Sequence, residues 1–207
     1  MSSLSCGDGN VSKQHIPISN VADIDDIPTV VIVLDTTGSM SLSLNVIKNS
    51  IRVLGEMLKI IKINLIVILY GDYTSNKNTP YHPVTIFKGD IENIIFKLSC
   101  YQLNQNGQGG DGPEALTTAL NIAHNNIPDD SYIIIVTDNV YHGYYYNAFG
   151  HDMCDDGREG SWEHNILGNN QMKQTFNDIT NQLFYENNVT IDIITNYTYA
   201  NDAYNIL

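Results

Sequence analysis

Positive charge, cysteine and tryptophan are all scarce in this sequence. Ten Lys and Arg stand against 23 Asp and Glu, for a formal net charge of −13. So acidic a surface repels phosphate backbones, which argues against nonspecific nucleic-acid binding and leaves cations and basic protein surfaces as partners. The three cysteines, Cys6, Cys100 and Cys154, are too few and too scattered for a disulfide framework and point to a reducing compartment. The N-terminus shows neither the basic n-region nor the continuous apolar h-region of a secretion signal. The longest apolar run, 63–70, is interrupted by Asn64 and is far too short to cross a bilayer. These absences predict a soluble cytoplasmic chain with no membrane partner. Sequons at Asn10, Asn188 and Asn196 are expected by chance in a chain this rich in Asn.

What is present is enough for one substantial core. The chain has 207 residues, 43% of them hydrophobic, which suits a single domain built without disulfides. Residues 1–27 are rich in Ser, Asp and Gly without a sustained period and read as a flexible leader, so the domain is placed at 28–207. The continuous β-branched run from Thr29 to Leu34 suits a strand buried on both faces. A helix from about Ser43 to Ile61 follows, with Ser41 or Ser43 as N-cap. Leu44, Ile47, Ile51, Leu54, Leu58 and Ile61 make its apolar stripe, and Val46, Val53, Met57 and Ile60 are expected to widen the buried face.

Further strands are predicted at Asn64–Tyr70, Val84–Phe87, Tyr132–Val136 and Val189–Ile194. Helices are predicted at Ile91–Leu98, from Pro113 to about Asn125 and from about Asn170 to Glu186, with a terminal helix beginning near Asp202. Strands alternating with helices predict an α/β fold, Rossmann-like and doubly wound, with a mainly parallel central sheet flanked by helices.

In such sheets ligands gather at the carboxyl ends of the strands. Oxygen-bearing residues collect there: Asp35, Thr37 and Ser39 after the first strand, Asp72 after the second, Asp138 after the Tyr132 strand, and Asp111 before the Pro113 helix. The spacing Asp-x-Thr-x-Ser sets three oxygens on one tight turn, and Gly38 lets the backbone fold closely enough for both hydroxyls to point inward. Hard oxygens with neither Cys nor His suit Mg²⁺, with Mn²⁺ or Ca²⁺ as alternatives. The bland readings are that Asp35 caps the next helix, that Asp138 is a turn residue and that Asp72 is a solvated loop residue or a distant group behind the ligands.

The segment Asp35-Thr36-Thr37-Gly38-Ser39-Met40 resembles the first part of the metal-ion-dependent adhesion site of von Willebrand factor A domains. Gly109-Gly110-Asp111-Gly112-Pro113-Glu114-Ala115 is similar to the family's second metal loop, and Thr137-Asp138 to its third. Within the family, the A domains attached to alpha-type protein kinases share most with this chain. They resemble it in the first loop, in Gly71-Asp72-Tyr73, in Gly109–Glu114 and in Asp138-Asn139-Val140-Tyr141-His142-Gly143. The 207 residues hold no kinase segment, so kinase activity is not carried over.

The resemblance implies metal ligation by Asp35, Thr37, Ser39, Asp111 and Asp138 and a protein partner whose acidic residue completes the coordination. It implies an interaction module with no catalytic residues. Asp111 stands where many adhesion-type domains have a neutral Thr, and the added carboxylate favours metal retention over capture of a partner's carboxylate.

Two other chemistries compete with this reading. A magnesium-dependent phosphohydrolase also places an Asp after the first strand, but the haloacid-dehalogenase-like pattern wants a second Asp two residues on, where Thr37 stands. No Gly-Lys-Ser/Thr phosphate loop and no Gly-x-Gly-x-x-Gly is present, which removes the nucleotide-binding reading. His142, His151, Cys154 and His164 match no closed structural zinc spacing, and the irregular stretch 139–168 that holds them reads as an insertion shaping the rim of the site. Trp162 and Tyr144–Tyr146 read either as recognition aromatics or as packing under that loop.

Overall fold

The computed structural model describes residues 27–72, 83–103, 115–141 and 172–195, with side chains of the last stretch described from Phe176. Five strands form one sheet: β1 Thr29–Asp35, β2 Asn64–Tyr70, β3 Val84–Phe87, β4 Tyr132–Thr137 and β5 Thr190–Thr195. Their spatial order is β3-β2-β1-β4-β5. Every pairing is parallel except that of β2 with β3, so the sheet is mainly parallel as expected.

The helices are α1 Leu44–Ile61, α2 Ile91–Cys100, α3 Leu116–His124 and α4 Met172–Asn181, the last continuing as one π-helical turn, Gln182–Glu186. None of the described helices is long and apolar enough to cross a membrane.

Period-2 alternation along the buried strands divides the core into two halves. Val31, Val33, Ile66, Ile68, Ile133 and Ile135 face α3 and α4, where Leu116, Ala119, Leu120, Phe176, Ile179 and Leu183 meet them. Ile32, Leu34, Leu65, Val67 and Leu69 point to the other side, against Leu44, Ile51 and Leu58 of α1 and Ile94 and Leu98 of α2. β1 and β2 are covered on both faces, which is why they read as unbroken apolar runs. This is the doubly wound α/β arrangement the alternating elements predict.

Local chemistry sets the helix ends. Asp90 caps α2, its carboxylate accepting from the Asn93 N–H at 3.1 Å. Ser43 occupies the N-cap position of α1 but makes no side-chain cap bond. A 3-10 turn, Gly38–Leu42, runs directly into α1 instead, with the Ser43 N–H donating to the Met40 carbonyl at 3.0 Å. α1 ends on Lys62 in the left-handed conformation, its N–H turned back to the carbonyls of Leu58 and Lys59.

α1 packs on α2 at Gly55, where an added Cβ would lie 3.1 Å from Ile95 Cδ1 and 3.2 Å from Ile91 Cγ2. A side chain there would require these two isoleucines to give by a few tenths of an ångström. An ion pair between Lys59 and Glu92 spans the same two helices at the surface.

Several expected boundaries and faces differ. α3 is described from Leu116, and Pro113 lies outside the described residues. β5 starts at Thr190 rather than Val189, whose side chain is buried and whose N–H donates to the Leu183 carbonyl at 2.9 Å. The largest correction concerns α1. Val46, Val53, Met57 and Ile60 do not widen its buried face; they are 67%, 52%, 59% and 80% exposed, and Ile61 is 61% exposed. α2 flanks α1 on one side only, so a helix apolar over most of its circumference keeps its outer face uncovered among the described residues. The leader 1–27, apart from Ile27, and the terminal helix expected from Asp202 lie outside the described residues.

Candidate metal centre

Parallel register brings the carboxyl ends of β1, β2 and β4 to one edge of the sheet. Asp35 is paired with Tyr70 of β2, and Leu34 with Val136 of β4, so Thr137 and Asp138 emerge beside the turn that follows Asp35. Thr36 pins that turn. Its N–H and its hydroxyl both donate to the Tyr70 carbonyl, at 2.8 and 2.7 Å, and its Oγ1 lies 3.0 Å from the Tyr101 hydroxyl. With Thr36 held, the backbone turns into the 3-10 segment that carries Ser39.

Four of the residues singled out from the sequence form one chain of oxygens. Asp35 Oδ1 accepts from the Thr37 N–H at 2.9 Å and from the Thr37 hydroxyl at 2.7 Å. Thr37 Oγ1 lies 3.1 Å from Ser39 Oγ, and the Ser39 hydroxyl donates to Asp138 Oδ1 at 2.9 Å. The other oxygen of Asp35 accepts from the Thr137 hydroxyl at 3.0 Å. The chain runs from the interior to the surface: Asp35 and Thr37 are buried, Asp138 is half-buried and Ser39 is exposed. A carboxylate thus forms the floor and a hydroxyl and a second carboxylate form the rim.

The electrostatics of the floor are unusual for an aspartate. Burial pushes the Asp35 pKa up to about 6 from 3.8; the bonds from Thr37 and Thr137 oppose the rise, and the charge of Asp138 adds to it. The hydrogen bonds do not fully compensate the desolvated carboxylate, and a cation placed among these oxygens would. The donor set is composed of carboxylate and hydroxyl oxygens, the chemistry of a hard divalent ion of the Mg²⁺ kind. Among the described residues no three His, Cys, Asp or Glu side chains come together, so the cluster depends on its two hydroxyls as well as its two carboxylates.

Asp111 and the rest of Gly109–Glu114 lie outside the described residues, as do His142, His151, Cys154, Trp162 and His164. The described part of the 139–168 stretch is short: Val140 and Tyr141 are buried, and the Tyr141 ring stacks on Phe176 at 3.6 Å, tying the segment after β4 to α4. Asp72, just past β2, is fully buried, so of its two expected roles the solvated loop residue does not hold.

Thr137 was not singled out as a site residue, yet it bonds Asp35 directly, and its Oγ1 also accepts from the Asn139 N–H at 3.2 Å. The available signal was its place one residue before Asp138 at the end of a strand adjacent to β1. Two residues after Asp35, where a haloacid-dehalogenase-like phosphohydrolase would carry its acid, the Thr37 hydroxyl is held as a donor to Asp35.

No protein-family model matches the chain, and no curated protein matches it in sequence. Among solved structures it is similar to the pilus adhesin SpaC from Lactobacillus rhamnosus GG in the open conformation. The identity is 16% and the TM-score 0.41, over 54% of this chain and 14% of that one. It is also similar to proximal thread matrix protein 1 from the mussel byssus, at 11% identity and a TM-score of 0.43, over 84% of this chain and 37% of that one. The chain thus spans well under half the length of either neighbour. Likenesses this distant carry no argument about the site, which stands on its own geometry.

Proposed function

We propose that this chain is a metal-dependent protein-interaction module of the von Willebrand factor A class, not an enzyme. The observation that supports it is the hydrogen-bonded set Asp35, Thr37, Ser39 and Asp138 at the carboxyl ends of β1 and β4, with Asp35 buried and incompletely compensated. Thr37, Ser39 and Asp138 would hold a Mg²⁺-type ion together with Asp35, and Asp111 is a further ligand on the sequence pattern. Bound there, the ion would offer a coordination position to a carboxylate from a partner protein.

The chain's own residues divide the work. Asp35 supplies negative charge from below, its orientation fixed by Thr37 and Thr137. Ser39 and Asp138, on the exposed side, are where a partner side chain would enter. With Asp111 included, three carboxylates would offset the ion's charge and weaken its pull on a partner's carboxylate, so metal retention is the stronger half of the proposal.

The test is a pull-down from a lysate with and without chelator, comparing wild type with Asp35→Ala. A protein captured only by wild type and only with divalent metal is the expected result. Capture indifferent to both chelator and substitution would refute the metal-dependent interaction. Steady phosphate release from a generic phosphate ester, lost in Asp35→Ala, would favour the enzymatic alternative.

A further inference from the structure

Ten Lys and Arg serve the whole of this acidic chain, and two of them, Lys48 and Arg52, line one cleft. It runs between α1 and α2 with a volume of about 420 Å³, within the usual range of ligand sites. Asn45 and Asn49 share the α1 wall with the two cations, Ile95 and Leu98 stand on the α2 wall, and no carboxylate lines the cleft among the described residues.

Two turns below Arg52 the same helices are joined by the Lys59–Glu92 pair, so that cation is already matched. Those in the cleft are not. Among the described residues Arg52, Asn45 and Asn49 make no side-chain hydrogen bond or ion pair. The Lys48 ammonium donates to the Tyr101 carbonyl, which leaves two of its three protons for a ligand. Partial burial draws the Lys48 pKa below its ordinary 10.5, with nearby Cys100 opposing the shift, as expected of an ammonium short of partners.

We propose that this cleft binds an extended segment of a partner protein that carries acidic side chains at alternate positions. The spacing selects the occupant. Lys48 and Arg52 lie four residues apart, about 6 Å along the helix, and Asn45 and Asn49 repeat that interval. Two residues of extended peptide cover about 6.6–6.8 Å, so carboxylates at alternate positions fall on Lys48 and Arg52 in turn. The Arg52 guanidinium can hold its carboxylate by two parallel bonds.

The peptide side chain between the two acids points to the other face and meets Ile95 and Leu98, which favours an apolar residue there. Each carboxamide of Asn45 and Asn49 offers both donors and an acceptor, which suits the N–H and C=O of a peptide backbone; a phosphate would use only the donors. A chain of net charge −13 repels acidic segments over most of its surface, so the cations of the cleft also decide where such a segment lands.

The cleft is tested with no metal present. The full chain, labelled with ¹⁵N and kept in EDTA, is titrated with the end-capped peptide Thr-Glu-Val-Glu-Thr while the side-chain N–H signals of Arg52, Asn45 and Asn49 are followed. Saturable shifts of these signals are expected, with binding weakened at least tenfold in Arg52→Glu and partly retained in Arg52→Lys. The isomer Thr-Glu-Glu-Val-Thr, whose acids are adjacent, should bind several-fold more weakly. Signals unmoved at millimolar peptide, or moved equally by Thr-Lys-Val-Lys-Thr, would overturn the proposal, as would binding indifferent to Arg52→Glu. Inorganic phosphate bound as tightly as the peptide would overturn it in favour of a simple anion site. Because EDTA is present throughout, failure here leaves the metal centre standing, and failure of the metal centre leaves this cleft standing.

Discussion

Replacing Asp35 with asparagine should stabilise the metal-free protein while destroying its response to metal. With its pKa at about 6 in the fold and 3.8 as the ordinary value, the carboxyl holds its proton more tightly when folded. Between those two values the folded state binds more protons than the unfolded, so stability falls as pH rises from about 4 to 6 and is level above that. The interval corresponds to about 3 kcal/mol at neutral pH.

The amide of Asp35→Asn resembles the protonated carboxyl and removes that cost. Its carbonyl still accepts from the Thr37 N–H and hydroxyl. Its NH₂ can donate to Thr137 Oγ1, whose own proton has the Asn139 carbonyl at 3.3 Å as an alternative acceptor. In EDTA at pH 7.5 the variant should gain up to about 3 kcal/mol, or roughly 6–12 °C in Tm for a domain of this size. Urea and thermal unfolding from pH 4 to 7.5 should show the wild-type slope flattened in the variant. A variant less stable than wild type at pH 7.5, with the wild-type slope retained, would refute the reasoning.

The remaining predictions concern what surrounds that carboxylate and the helix layer that faces it. Thr137→Val removes the donor to the second Asp35 oxygen and should cost about 1–2 kcal/mol at pH 7.5, with a smaller loss at pH 4.5 where the carboxyl is protonated; urea denaturation at both pH values measures it. Gly55→Leu forces α1 away from Ile91 and Ile95 of α2 and should cost about 1–3 kcal/mol, read from the denaturation midpoint, with metal response intact. In wild type, the rise in Tm on adding Mg²⁺ should be largest at pH 7.5 and fade below pH 6, because a protonated Asp35 is a poor ligand.

How much of this was legible beforehand depended on whether a signal was local. β1 and β2 announced themselves because strands buried on both faces are apolar at nearly every position, and their observed spans lie within a residue of the reading. The Asp35–Ser39 turn was legible because its spacing is itself the geometry. Thr137 was missed because its role comes from the β1–β4 register, a contact between residues about a hundred apart. Burial of Asp72 was missed because a polar residue after a strand carries no mark of what will cover it.

The face of α1 was misread for a physical reason. Periodicity shows that Val46, Val53, Met57 and Ile60 share a side of the helix, but not whether another element arrives to cover that side.

The central claim is that the oxygens of Asp35, Thr37, Ser39 and Asp138 hold a divalent ion. Titration of the protein into Mn²⁺ at pH 7.5, followed by the loss of the free-ion electron paramagnetic resonance signal, tests it most directly. The account predicts one saturable site per chain, displaced by Mg²⁺ and lost in both Asp35→Asn and Asp138→Asn. A free Mn²⁺ signal unchanged by wild-type protein, or binding that survives Asp35→Asn undiminished, would contradict it.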